Sequence, residues 1–301
     1  MKKIAVVCAP GIGDALILQI ASHQLQRFGF EATTFSNHLS QFGNWLPGNF
    51  ASQPELERIP QIFSSFDAIF LQHDNSSKAR KIHFLDLPIY TFYGNHVLSK
   101  HGPLKLGFDF VCDQNRTMVE NVMEAVQTLF RLPEISSENG LKAPAGLIHR
   151  RYQRRVAIHP TSAAEERSWP REKFLKIADW LDAHGYEPDY LVPPTERFRW
   201  GGPDLPNLKA LASFIYESGF FIGNDSGPGH LASYLKIPHL IIGREKRQMQ
   251  FWKPGWLPGE IAFPSPWIPN WKGIRLRENH WKRFITTKNI INRLKCNVLC
   301  N

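Results

Sequence analysis

The segment FFIGNDSGPGHLASYL, residues 220–235, runs from an apolar stretch into Asp225, Ser226, Gly227, Pro228, Gly229 and His230, then into a helical pattern. A strand ending on such a turn delivers backbone N–H groups and a hydroxyl to a helix N-terminus. First-turn amides there lack partners and the helix dipole favours an anion, so the site suits a phosphate. Gly227 and Gly229 leave room for close approach, and His230 can donate to a phosphate oxygen from the first turn. A tight strand-to-helix turn capped by Asp225 would leave the same pattern. A second segment, HPTSAAEERSWP at 159–170, repeats the theme with the hydroxyls of Thr161 and Ser162 and the guanidinium of Arg167. Charge-assisted bonds from Arg contribute about 1.5–3 kcal/mol each, which suits a diphosphate. Two such loops at strand carboxyl ends count for more than either alone, because open α/β sheets bind ligands there.

A third segment, PGIGDALIL at 10–18, offers Gly11, Gly13 and the carboxylate of Asp14. It has neither the dinucleotide fingerprint nor the lysine of a triphosphate-binding loop. A lone carboxylate at a strand-to-helix junction is by itself a capping residue as readily as a base.

These segments must be positioned by strands and helices that the apolar spacing predicts. Lys2–Cys8 reads as a buried strand, followed by a helix from Asp14 to about Gly29, with apolar residues at 16, 17, 20, 21 and 25. Further strands are expected at Ala32–Phe35, Asp67–Gln72 and Ile89–Tyr93, and an amphipathic helix at Val119–Leu132. Residues 133–155 lack periodicity. A second run of alternating elements follows, with strands at Val156–His159, Asp189–Val192, Phe220–Ile222 and His239–Ile242 and helices at Arg171–His184 and Pro228–Leu235. A final helix is expected near Thr286–Lys295. Alternation of this kind implies α/β units with parallel sheets. The expected division is 1–145, 146–285, and a terminal segment 286–301 that packs back on the first domain.

The net charge of +9 is unevenly spread. Residues 1–150 carry 13 Lys/Arg against 13 Asp/Glu and residues 151–243 carry 11 against 11, whereas 244–301 carry 12 against 3. Five of the nine tryptophans lie in that same tail. Cations beside amphipathic rings suit an anionic membrane surface or a phosphorylated acceptor. A solvated basic face with tryptophans packed inward fits equally. No apolar run approaches the ~18–20 residues that span a bilayer. Asp14 interrupts what would otherwise be read as a signal-peptide core, and the four scattered cysteines lack metal-ligand spacing, which points to reduced cytosolic thiols.

Taken together, the three segments resemble bacterial glycosyltransferase family 9, the heptosyltransferases of lipopolysaccharide core assembly. The matching residues are Gly13-Asp14, then His159-Pro160 with Trp169-Pro170, then Asp225-Ser226-Gly227-Pro228-Gly229-His230-Leu231. The resemblance implies a GT-B fold, with two Rossmann-like domains whose parallel sheets face across a cleft, acceptor on the first and nucleotide-sugar donor on the second. It implies an inverting, metal-independent glycosyltransferase that needs no cofactor and moves a heptose or related sugar from an ADP-linked donor to a lipid-linked or phosphorylated inner-core acceptor. Asp14 would be the catalytic base and Arg167, where the family commonly has lysine, would neutralise the leaving diphosphate. Thr161, Ser162 and the segment Asp225–His230 would hold that diphosphate, and Glu196 would hold the ribose. The implied location is the cytoplasm, peripheral on the inner face of the cytoplasmic membrane.

One departure stands out. After the strand at 239–243 the family usually continues with Pro-Thr, whereas this chain has Arg244-Glu245. A nucleotide-sugar epimerase or hydrolase of the same fold, or a non-catalytic nucleotide-sugar-binding protein, would keep the phosphate loops without the transfer reaction. Nucleic-acid binding is suggested only by the basic tail, and no nucleic-acid motif accompanies it.

Overall fold

The structure, a computed structural model, describes residues 1–162, 165–245, 250–271 and 274–298. It divides into two compact units, Met1–Lys142 and Ala143–Asn301.

The first unit is built on six parallel strands: β1 (Lys3–Val7), β2 (Glu31–Phe35), β3 (Asn49–Ala51), β4 (Ala68–His73), β5 (Ile89–Tyr93) and β6 (Asp109–Val111), ordered β3-β2-β1-β4-β5-β6. Both faces are covered, so the central strands read as continuous apolar runs without polar alternation. On one face Ala5, Val7, Ile69 and Leu71 pack with Phe35 and Phe63, against the helices Ile59–Phe63 and Ser77–His83. On the other, Phe70 meets Phe130 edge-on at 5.9 Å, at the end of the helix Met118–Phe130. That helix starts on a reciprocal capping box between Thr117 and Glu120. The neighbouring helix Ile12–Arg27 buries Gln19 and Ser22 as well as its apolar residues. Both polar groups are satisfied through Thr34, at 2.7 and 2.5 Å.

The second unit has five parallel strands: β7 (Tyr152–His159), β8 (Glu187–Tyr190), β9 (Ser218–Asn224), β10 (His239–Ile242) and β11 (Glu260–Ala262), ordered β11-β10-β9-β7-β8. Val156, Ile158, Phe220, Ile222, Leu240 and Ile242 project alternately onto one face, beneath the helix Arg171–Asp182. The final helix, Thr287–Val298, packs against that same helix, and its Ile290 and Leu294 are fully buried in this core. The apolar stripe of this helix completes the second unit's hydrophobic layer. On the opposite face the helix Gly227–Tyr234 lies close to the sheet, because a Cβ at Gly229 would stand 2.7 Å from Cδ1 of Ile241.

Of the five tail tryptophans, Trp256 and Trp281 are buried and Trp252 is half-buried, while Trp267 and Trp271 are exposed. Several tail cations also find partners within the unit: Arg244 pairs with Glu278, Arg293 with Glu260 at 2.6 Å, and Lys282 donates to the Glu165 carbonyl at 3.0 Å. The tail thus divides between the inward-packed and the exposed alternatives. Residues 246–249, 272–273 and 299–301 of it lie outside the described residues. Among the described residues no helix is long and apolar enough to cross a membrane.

Candidate functional site

In an open parallel sheet the loops on either side of the point where strand order reverses leave in opposite directions, opening a crevice at the strand carboxyl ends. The first sheet reverses between β1 and β4, the second between β7 and β9. All three segments singled out by the sequence leave the sheets at these two points.

In the first unit β1 ends at Val7 and the chain turns through Cys8–Gly11 into the helix that carries Gly13 and Asp14 in its first turn. Three polar side chains clamp this turn. Gln72 at the end of β4 accepts from the Ala9 N–H at 3.0 Å, Gln53 donates to the Cys8 carbonyl at 2.5 Å, and His38 donates to the Pro10 carbonyl at 2.8 Å. The other end of the Gln72 amide donates to Asp14 Oδ1 at 2.6 Å. A Cβ at Gly11 would displace the Asp14 carboxylate, since it would meet Oδ2. Burial raises the Asp14 carboxyl above the usual carboxylate range and the Asp74 charge adds to this, while the Gln72 amide and Asp14's own backbone N–H act in the opposite sense. A carboxylate moved in this direction, yet oriented by a fixed donor, has the character of a general base. Cys8, buried beside it, has its thiol pushed well up by desolvation and the Asp14 charge, so it stays protonated.

In the second unit the loops after β7 and β9 are joined by one side chain. Asn224, fully buried, donates to the Pro160 carbonyl at 2.6 Å and accepts from the Trp169 N–H at 2.9 Å. Trp169 is anchored in turn by its indole N–H to the Ile285 carbonyl at 3.1 Å. His159 donates through Nδ1 to the Leu191 carbonyl at 2.7 Å, which ties in the loop after β8, and burial lowers its pKa. Thr161 and Ser162 are half-buried in the loop so fixed, with Ser162 Oγ 3.0 Å from Ser168 Oγ, and Arg167 is exposed on a short 3-10 turn. Beside them, Asp225 bonds through its N–H to the Ile242 carbonyl at 3.1 Å, and Ser226 Oγ donates to the Asn224 carbonyl at 3.1 Å.

The helix Gly227–Tyr234 opens there, but with fewer amide donors than its sequence suggests. Pro228 has no N–H, and the Gly229 N–H is taken by the Ser226 carbonyl at 3.0 Å. His230 is buried, with Nδ1 lacking a hydrogen-bond partner, and desolvation together with His239 lowers its pKa to about 4, so its ring is neutral. Glu196, half-buried, lies on the same carboxyl edge beyond β8. Thr161, Ser162 and Asp225–Gly227 are thus brought to adjacent strand ends, while Gly11, Gly13 and Asp14 form a separate cluster in the first unit. At the position of the missing Pro-Thr, Arg244 is held by Glu278.

Sequence reasoning did not find Gln72, Gln53, His38 or the structural role of Asn224. Gln72 had a signal: a polar residue that closes the apolar run Ala68–Leu71. It also missed a group of rings around Tyr93, in which His73, His83, His96 and His101 stand 5.0–6.5 Å from it, centroid to centroid. Among the described residues no group of three or more His, Cys, Asp or Glu is arranged to hold a metal ion.

Two parallel α/β sheets, each with polar loops at its reversal, give the chain a GT-B-type fold. Heptosyltransferases are among the proteins that it resembles. No family model matches the chain. It is 27% identical over 137 residues to lipopolysaccharide heptosyltransferase 3 of Escherichia coli (strain K12), a match covering 40% of this chain and 38% of that protein. The aligned stretch therefore spans about two-fifths of the curated relative. Over its full length the fold matches the E. coli ADP-heptose lipopolysaccharide heptosyltransferase II with a TM-score of 0.72 at 16% identity, covering 100% of this chain and 99% of that one. It matches a glycosyl transferase family 9 structure from Veillonella parvula DSM 2008 with a TM-score of 0.66 at 16% identity, covering 100% and 98%.

Proposed function

We propose that the chain is an inverting glycosyltransferase that moves a heptose or related sugar from an ADP-linked donor to a phosphorylated or lipid-linked saccharide of the lipopolysaccharide inner core. The observation that carries this reading is Asp14, its carboxyl raised by burial and held by Gln72 at the strand reversal of the first unit. In the reaction the acceptor hydroxyl attacks the anomeric carbon and gives its proton to Asp14. The bond from that carbon to the diphosphate oxygen breaks, ADP leaves with the electron pair, and the configuration inverts. Departure without a metal needs fixed positive potential, which Arg167, the hydroxyls of Thr161 and Ser162 and the amides around Gly227 supply. Glu196 holds the donor ribose. No cofactor is required, and the enzyme works in the cytoplasm at the inner membrane face, where its acceptor resides.

The test is a donor screen that follows nucleoside diphosphate release with and without a delipidated core acceptor. Release dependent on both substrates is expected for the unaltered protein, with Asp14→Asn binding the donor but not transferring. Full transfer by Asp14→Asn would remove the base assignment, and failure of any nucleotide sugar to bind would remove the transferase reading.

A further inference from the structure

Six large apolar side chains stand exposed within residues 84–108: Phe84, Val97, Leu98, Leu104, Leu106 and Phe108. Phe84 is 83% exposed, Leu98 68% and Leu106 fully so. Single exposed apolar residues are ordinary, but a concentration like this on one stretch marks a contact surface. The same stretch is basic. Residues 77–108 contain Lys78, Arg80, Lys81, Lys100 and Lys105 with Asp86 as the only acid, whereas residues 1–150 as a whole balance 13 against 13.

The surface is held in shape. Its segments follow β4 and β5, and they lead back into the amino ends of β5 and β6. The turn after β5 folds back on itself, the Val97 N–H donating to His101 Nδ1 at 2.9 Å and His96 Nε2 donating to the Gly102 carbonyl at 3.0 Å. His101 Nε2 then donates to Asn75 Oδ1 at 2.6 Å, which ties the turn to the end of β4. Tyr93, buried, meets His96 edge-on at 5.2 Å and His101 at a tilt at 5.0 Å. Further on, the Lys105 N–H donates to the Asp109 carboxylate at 2.7 Å, fixing Leu104 and Leu106 on either side of an exposed lysine.

The alternation decides what this surface fits. Protein interfaces exclude lysine from their apolar centres. Here Lys105 lies between two leucines and Lys100 lies two residues from Leu98. At a lipid surface that order is favourable, because the leucines enter the acyl boundary while the lysine stems extend outward and their ammonium groups meet phosphates.

We propose that the exposed apolar and basic side chains of residues 77–108, around β5 and β6, dock on an anionic lipid surface. The inference goes beyond the transferase reading, and its measurement does not depend on that reading.

The experiment is flotation of the full chain with vesicles of phosphatidylcholine alone or in equimolar mixture with phosphatidylglycerol. Binding to the mixed vesicles that weakens as salt rises is expected. Leu98→Asp with Leu106→Asp should weaken it about tenfold or more at any salt, and Lys100→Glu with Lys105→Glu should weaken it most at low salt. All four side chains are exposed, so thermal unfolding and sugar transfer to a delipidated acceptor should be unchanged. Trp267→Ser with Trp271→Ser in the tail should bind as the unaltered chain does. The proposal is overturned if the chain floats with neither vesicle, if the loop variants float normally, or if the tail variant alone loses binding. It is equally overturned if the leucine variant instead abolishes a concentration-dependent dimer in sedimentation, since the surface then joins two copies.

Discussion

The two strand reversals solve different problems with the same topology. In the first unit a side-chain amide reaches across from β4 and orients a single carboxylate, Asp14, that can exchange a proton. In the second unit a buried side-chain amide, that of Asn224 at the end of β9, holds both ends of the loop after β7, and the groups beside it are hydroxyls and backbone N–H donors, which do not titrate. An amide at a strand carboxyl end serves both, acting on a titratable group in one unit and on main chain in the other. The first arrangement sets the environment of a titratable group, whereas the second fixes the course of the main chain.

That contrast can be broken most directly at Asp14. Asp14→Asn keeps the shape and removes the proton acceptor, so kcat is expected to fall by about 10²- to 10⁴-fold with donor affinity unchanged, read by diphosphate release and calorimetry. Asn224→Ala should act on stability and donor binding together. It leaves the Pro160 carbonyl and the Trp169 N–H buried without partners, a destabilisation of about 2–4 kcal/mol, measurable by urea unfolding, and a raised donor KM. If Asn224→Ala lowers kcat alone, this description of Asn224 is wrong.

Gln72→Leu tests the finer side of the comparison. It removes the hydrogen bond that lowers the Asp14 pKa, so the acid limb of the kcat/KM profile should move to higher pH while Asn224→Ala leaves that limb in place. The smallest effect concerns His73 and His230, one in each unit. Burial is the first cause in both, aided by His101 and His83 for His73 and by His239 for His230, and each pKa drops from 6.5 to about 4. In that window the unfolded chain binds more protons than the folded one. The stability present above pH 6.5 is therefore lost as pH falls through about 4. Melting curves across this range should show it, and His230→Asn should flatten the slope.

Much of this architecture could be read from the residues, and the omissions have physical causes. Central strands such as β1, β4 and β9 are long and apolar because both faces of each sheet are covered. β3, β6 and β11 escaped notice because each has three residues and pairs on one side only, so neither length nor alternation identifies them. The strand expected at Asp189–Val192 begins two residues earlier, at Glu187, because pairing with Arg155 and Val156 overrides the polar character of Glu187 and Pro188. The chemical segments were legible because Gly, Ser, Asp and His cluster locally. Gln72 and Asn224 were not, since each acts on residues 58 and 64 positions away, and only the register of parallel strands brings such partners together.

Those separations also govern how the chain matures on the ribosome. Asp14 emerges early but has no orienting partner until residue 72 has been made and β4 has slotted beside β1. The clamp then closes entirely within the first 142 residues, so the first unit can fold while the remainder is still being translated. The loop at 159–170 must wait through synthesis of β8 and the helix Leu208–Glu217 before Asn224 arrives. Nascent chains arrested between these lengths should therefore carry a finished Asp14–Gln72 clamp and an unfastened loop after β7.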